Sequence, residues 1–218
     1  MRIDLTGVAK GPRDSVLPPV TVAFESGAAT LVRVETEQRP TVLGLLASGR
    51  MRPDAGLVTV DGRPDPRRLR ASVALVDAPV VSEPAAHVST VGIVEEELMF
   101  AGRTATPRAA RRTLERLGLS RWAGIPVGNV DPTDRVRLLL ELAASRPGVE
   151  AVVLVSPDRH GGDPAGWWDL ARESAQRGLA VLVIAGDAAA ATLAGTTAAE
   201  MPDVLRWDRP AVPVEVPA

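Results

Sequence analysis

The chain has 218 residues, 45% hydrophobic and 24% charged, with a formal net charge of −2. That balance fits one large globular domain and gives no case for a nucleic-acid partner. The sequence holds no cysteine, which excludes disulfides, thiolate metal sites and cysteine nucleophiles. No apolar run reaches about 18 residues and none opens a signal peptide, so neither a membrane span nor a leader is expected.

Arg2 to Ala9 alternates Ile3, Leu5 and Val8 and predicts a strand. Gly11-Pro12-Arg13-Asp14-Ser15 is a turn cluster, and Val20 to Phe24 predicts a second strand. Ala29-Thr30-Leu31-Val32 is a third, followed by Arg33 to Arg39 as a loop. Pro40 suits the first position of a short helix over Val42 to Ala47. Pro53-Asp54-Ala55-Gly56-Leu57-Val58-Thr59-Val60-Asp61-Gly62 reads as turn, strand, turn. Asp65 to Arg70 is a charged stretch, and Ser72 to Val76 is a continuous apolar strand of the buried parallel kind. Asp77 follows it, where an acid is most often a turn residue or a helix cap.

Residues 84–147 predict a mostly helical region. Ser89 caps a helix running through Met99, with Glu95-Glu96-Glu97 as a solvated face. Pro107 starts another, with Leu114 and Leu117 inward and Gly118 as its stop. Asp131 caps a third over Arg135 to Ala144. Ala151 to Val155 is a buried strand, and Ser156-Pro157-Asp158 and His160-Gly161-Gly162-Asp163 form the loop after it. A lone loop histidine such as His160 is expected to be exposed. Pro164 to Gln176 is a helix, Leu179 to Ile184 a strand, Asp203 to Trp207 a last short strand, and 209–218 a loose proline-rich tail.

Taken together, these segments resemble the ATP-binding cassette ATPases, the nucleotide-binding subunits of ABC transporters. Over about residues 2 to 208 the order and spacing are those of the family, with P-D-x-G-x-V-x-V-D-G the most specific stretch. The resemblance implies an α/β fold of the P-loop NTPase type. Its parts would be a mostly parallel central sheet, an N-terminal antiparallel layer and an inserted helical subdomain that touches the membrane partner.

The motif residues themselves differ. Aligned on the family's phosphate loop, the three glycines fall on Arg33, Thr36 and Gln38, the lysine on Arg39, and the hydroxyl pair on Pro40 and Thr41. Glycine lets that loop's N–H groups close around phosphate, and Pro40 has no N–H to offer. Glu35 and Glu37 add negative charge beside the place of a triphosphate. The metal-reaching glutamine falls on Ala78. The signature serine falls on Asp131 and the glycines after it on Pro132 and Thr133. The metal-binding aspartate falls on Val155, the catalytic glutamate on Ser156, and the switch histidine on Gly186. The stretch Lys10 to Val16 lacks the aromatic that stacks on adenine.

The expected function is therefore that of a catalytically degenerate cassette subunit with no catalytic or metal-binding residue. It would act in the cytoplasm through a membrane permease or an active sister subunit, as a homo- or heterodimer, which would place it peripherally at the inner face of the cell membrane. No cofactor is expected. If the chain instead hydrolyses ATP with Mg²⁺ in a composite site, Arg39 and Thr41 are the residues left to hold the nucleotide. A free-standing regulatory binding module is a third reading. Trp167 and Trp168 lie about 100° apart on one helix, so both cannot point straight into the sheet: one packs and the other either covers a loop or, exposed, anchors a partner.

Overall fold

The structure, a computed structural model, describes residues 1–14, 16–35 and 39–196. The expected strand at Asp203 to Trp207, the tail and the loop residues Thr36, Glu37 and Gln38 lie outside these.

Four strands form a parallel sheet in the order β3 (Ala29–Arg33), β7 (Ala180–Ala185), β6 (Ala151–Val155) and β5 (Val73–Val76). Leu31 stands opposite Val183, Leu154 also opposite Val183, and Val76 opposite Leu154. These strands read as unbroken apolar runs because both faces of the sheet are covered. Leu31, Ala74, Val76, Val152, Leu154, Val181 and Val183 point into one core. The alternate residues Val32, Val73, Leu75, Val153, Val155, Leu182 and Ile184 point into the other.

A second, antiparallel sheet of β1 (Arg2–Lys10), β2 (Leu17–Glu25) and β4 (Ala55–Val60) covers that second face, in the order β2-β1-β4. Helix α1 (Pro40–Ala47) lies in the same core, burying Leu43, Gly44, Leu46 and Ala47. The charged stretch after Gly62 forms a short helix, α2 (Pro66–Ser72), that the hydrophobic pattern did not announce. Asp65 caps it by accepting from the N–H groups of Arg67 and Arg68.

The first core is roofed by α5 (Pro132–Ala144) and α6 (Pro164–Gln176), with α7 (Asp187–Thr196) beside α6. Helices α3 (Thr90–Phe100) and α4 (Pro107–Arg116) pack on each other at one end. The expected caps form: the Ser89 side chain accepts from Gly92 N–H and Asp131 from Thr133 and Asp134 N–H. Thr106 caps α4 through Ala109 N–H. Although it falls inside the helical stretch 84–147, α5 packs directly on β5 and β6.

The tryptophan expectation needs correction. Trp167 is 1% exposed and Trp168 4%. Helix α6 touches α5 on one side, α7 on another, and the sheet beneath. A helix enclosed on three sides buries more than one stripe, so neighbours about 100° apart both go inside. Neither ring is available as an anchor.

Gly44 sets how closely α1 approaches the sheet. A Cβ there would stand 2.8 Å from Val155 Cγ2 and 3.0 Å from Leu75 Cδ1. Gly44→Ala should therefore lower stability by about 1–3 kcal/mol through overpacking, seen as a lower urea midpoint. Gly195→Ala, on α7 with open space around the new methyl, should not lower it.

Candidate functional site

The carboxyl ends of the four parallel strands, Arg33, Val76, Val155 and Ala185, lie along one edge of the sheet. That edge is where open α/β sheets place their ligands. Three non-glycine residues take left-handed backbone there: Arg39 at φ 55°, Asp77 at φ 55° and Ser156 at φ 48°. Such conformations cost of order 1–3 kcal/mol each and gather at functional sites.

Asp77 is neither the turn residue nor the helix cap that its position suggests. Its side chain is fully buried and is the centre of an ionic cluster. Arg135, from α5, donates Nη2–H to Asp77 Oδ1 at 2.7 Å and Nε–H to Oδ2 at 3.3 Å. A third guanidinium bond goes to the Val127 carbonyl. Arg159, from the loop after β6, donates Nη1–H to the carbonyls of Asp77 at 2.6 Å and Val155 at 3.0 Å. Its Nη2 lies 3.0 Å from Asp77 Oδ1 and 3.2 Å from Glu83 Oε1. These are ion pairs by distance, without the alignment of a hydrogen bond. His160 Nε2 lies 3.0 Å from Asp77 Oδ2. The loop histidine expected to be exposed is thus packed against a buried acid.

Asp77, Glu83 and His160 bring three ligand-type atoms within 4.8 Å of one another. They do not make a cation site. Both Asp77 oxygens already accept from a guanidinium, and a divalent ion would face Arg135 and Arg159 at close range.

On the other side of β6, two carboxylates cap α7. Asp158 Oδ2 accepts from Gly186 N–H at 3.1 Å, and Glu35 Oε1 accepts from Asp187 N–H at 2.5 Å. A Cβ on Gly186 would meet Asp158 Oδ2 at 3.1 Å and Glu35 Oε1 at 3.2 Å. Two acids from different strand ends thus take the helix N-terminus, an end whose N–H groups and dipole suit an anion. Arg33 pairs with Asp187 beside them, Nη2 to Oδ1 at 2.6 Å.

The sequence-derived nucleotide residues sit apart from both groups. Arg39 is the residue before α1, exposed, with no side-chain cap bond; Thr41 is half-buried on the first turn. Among the described residues no hydrogen bond or ion pair joins either one to the Asp77 cluster. Val155 is fully buried and has no ligand atom. Ala78 is fully buried as well. The donor set at this edge does not fit Mg²⁺ with a triphosphate: the metal positions are apolar, and Glu35 and Asp158 oppose an anion.

No protein-family model matches the sequence, and no curated protein matches it. The fold does match solved structures. A protein described as an ATP-binding protein of an ABC transporter from Pyrococcus furiosus superposes with a TM-score of 0.61 at 13% identity, over 86% of this chain and 92% of that one. The chain has the fold of the ATP-binding cassette ATPases. A nucleotide-free cassette from an ABC transporter gives a TM-score of 0.60 at 15% identity, over 86% and 82%. CbiO1 from Clostridium perfringens, part of the ABC transporter complex CbiONQ, gives 0.57 at 16% identity, over 84% and 77%.

Within this cassette fold the Asp77 cluster was only partly legible in advance. Asp77, Arg135, Arg159 and His160 are spread over 84 positions, and no local pattern pairs them. The signal that was available was Asp77 directly after a fully apolar strand, a position that the fold carries to the ligand edge.

Burial by itself raises the Asp77 carboxyl. Hydrogen bonds from His160 and Arg135, with the charges of Arg135 and Arg159, outweigh it and hold the pKa below the ordinary 3.8. Stability from the ionised group is then fully present above that value and is lost as pH falls through it toward the lower folded pKa. Asp77→Asn, which leaves the buried Arg135 with only the more distant Glu83 at 4.0 Å, should cost about 3–5 kcal/mol near neutral pH. The variant should also lose less further stability than wild type when urea midpoints are followed below about pH 4.

Proposed function

We propose that this chain is a transporter-associated cassette subunit that binds a membrane permease or an active sister subunit and does not itself hydrolyse ATP. The observation that carries this reading is the self-neutralised ligand edge. Asp77, Arg135, Arg159 and His160 satisfy one another, and Glu35 and Asp158 cap α7. The positions that would hold metal and attacking water carry Val155, Ser156 and Ala78. Fold alone does not give function, and here the side chains argue against the chemistry while the scaffold is retained. Among the described residues no helix is long and apolar enough to cross a membrane, so membrane contact would come through a partner or the surface.

The surface suited to a protein partner lies where the 77–84 loop meets α3. Val80 is fully exposed, Val81 half-exposed, and Met99 and Phe100 are 60% and 62% exposed. Val80 also takes left-handed backbone, φ 64°, which is a true outlier for a β-branched residue. A cavity of about 390 Å³ opens between Val81, Phe100, Arg50 and Arg146. Exposed apolar side chains grouped beside a charged cavity are the usual mark of a contact surface.

Two measurements check this reading. Calorimetry with Mg-ATP should give a Kd weaker than roughly 1 mM; micromolar binding or steady turnover would reverse the proposal in favour of an atypical ATPase. Capture of a permease or sister cassette by the wild-type chain should fall at least tenfold in the Val80→Asp, Phe100→Asp double variant. That is about 1.4 kcal/mol, and thermal unfolding should be unchanged.

A further inference from the structure

The exposed face of α4 is an arginine surface. Arg108, Arg111, Arg112 and Arg116 fall within an arc of about 140° on the helix, and all four are exposed. Ala110, Thr113 and Leu114, on the opposite side, are buried. Arg103 in the preceding loop and Arg121 after the helix extend the same charge. Between residues 103 and 121 the chain has six arginines and one acid, Glu115, in a protein whose overall charge is −2.

This charge is not spent inside the molecule. Elsewhere guanidiniums meet carboxylates: Arg2 with Asp4 and Glu25, Arg68 with Asp61, Arg146 with Glu97, Arg177 with Glu141. Among the described residues no carboxylate comes within 4.0 Å of Arg103, Arg108, Arg111, Arg112 or Arg116; Arg121 pairs with Asp134. Two of the three acids of the neighbouring helix, Glu96 and Glu97, line the cavity with Arg146 and Arg50 instead. Two shallow depressions flank α4 and share Arg112. One, of about 400 Å³, is lined by Arg108, Arg111, Arg112, Glu115 and Ser120, three guanidiniums against one carboxylate. The other, of about 290 Å³, is lined by Arg103, Thr104, Arg112 and Arg116.

We infer that this face of α4 docks onto an anionic phospholipid surface, with lipid phosphates seated in the two depressions. The occupant follows from the chemistry. Guanidinium forks pair with phosphate oxygens through two parallel N–H bonds. The outward face of α4 carries Pro107, four arginines and Glu115 and no large apolar or aromatic side chain, so it lacks the buried anchors of a protein interface and the stacking rings of a single-stranded nucleic-acid groove. A bilayer needs neither: basic side chains near an anionic leaflet add their contributions. The inference goes beyond the permease contact and does not depend on it, because lipid alone is the ligand.

The test is cosedimentation of the full chain with vesicles of phosphatidylcholine containing about one third phosphatidylglycerol, against phosphatidylcholine alone. Wild type should bind only the anionic vesicles and release as salt is raised toward molar concentration. At about fivefold per basic side chain, Arg108→Gln, Arg111→Gln, Arg112→Gln together should lose on the order of 100-fold in partitioning. A triple Gln variant of Arg63, Arg67 and Arg70, a separate basic stretch on and before α2, should bind like wild type. If the α4 triple variant fails to fold, Arg112→Glu alone is expected to weaken binding at least tenfold. Equal binding by the two triple variants, equal binding to neutral vesicles, or no binding to anionic vesicles would overturn the inference. So would capture of polyglutamate or single-stranded DNA in preference to the vesicles.

Discussion

The bidentate pair between Arg135 and Asp77 joins the end of β5 to α5, and the ligand edge of the sheet is arranged around it. Both side chains are almost wholly out of water, at 3% and 0% exposure, so neither charge can stand alone. That requirement recruits the neighbours. Arg159 adds its own charge and fastens the carbonyl ends of β5 and β6, and His160 closes on the second carboxylate oxygen. Glu83 supplies the acid that balances the second guanidinium. Asp77 and Glu83 thus balance Arg135 and Arg159, as burial of charge demands.

The same logic governs the other half of the edge. A helix N-terminus that points its N–H groups at a ligand edge must satisfy them with something. In this chain Asp158 and Glu35 do so from the ends of β6 and β3. The space left beside Gly186 is bounded by those two carboxylates. The donors and charges along this edge are thus satisfied within the chain, and its own side chains hold the strand ends together.

What remains outward-facing differs in kind from one part of the helical region to the next. Around the 77–84 loop and the end of α3 the exposed groups are apolar, with one valine held in strained backbone. On α4 they are guanidiniums without carboxylate partners among the described residues. A surface of the first kind gains by excluding water against a shaped partner. One of the second kind gains from a field of opposite charge and needs no shape match. The two faces can act at the same time without competing for the same contact.

The sequence by itself determined the element order, the sheet assignments of Leu31–Arg33, Val73–Val76, Val152–Val155 and Val181–Ile184, the caps at Ser89 and Asp131, and the family-like spacing. Those features rest on local periodicity and on single-residue backbone preferences, which act over a few positions. It also showed which positions differ from the family's motif residues, because that is a matter of residue type. Only the tertiary structure decided the fate of Trp167 and Trp168, since burial on three sides of α6 depends on where α5 and α7 pack. Only the fold, likewise, brought Asp77, Arg135 and His160 together, as burial of a charge is decided by partners 58 and 83 positions away. Helix α2 shows the same division. Its apolar periodicity is weak, and it forms where the Asp65 cap and one buried leucine, Leu69, meet the core that the two sheets enclose.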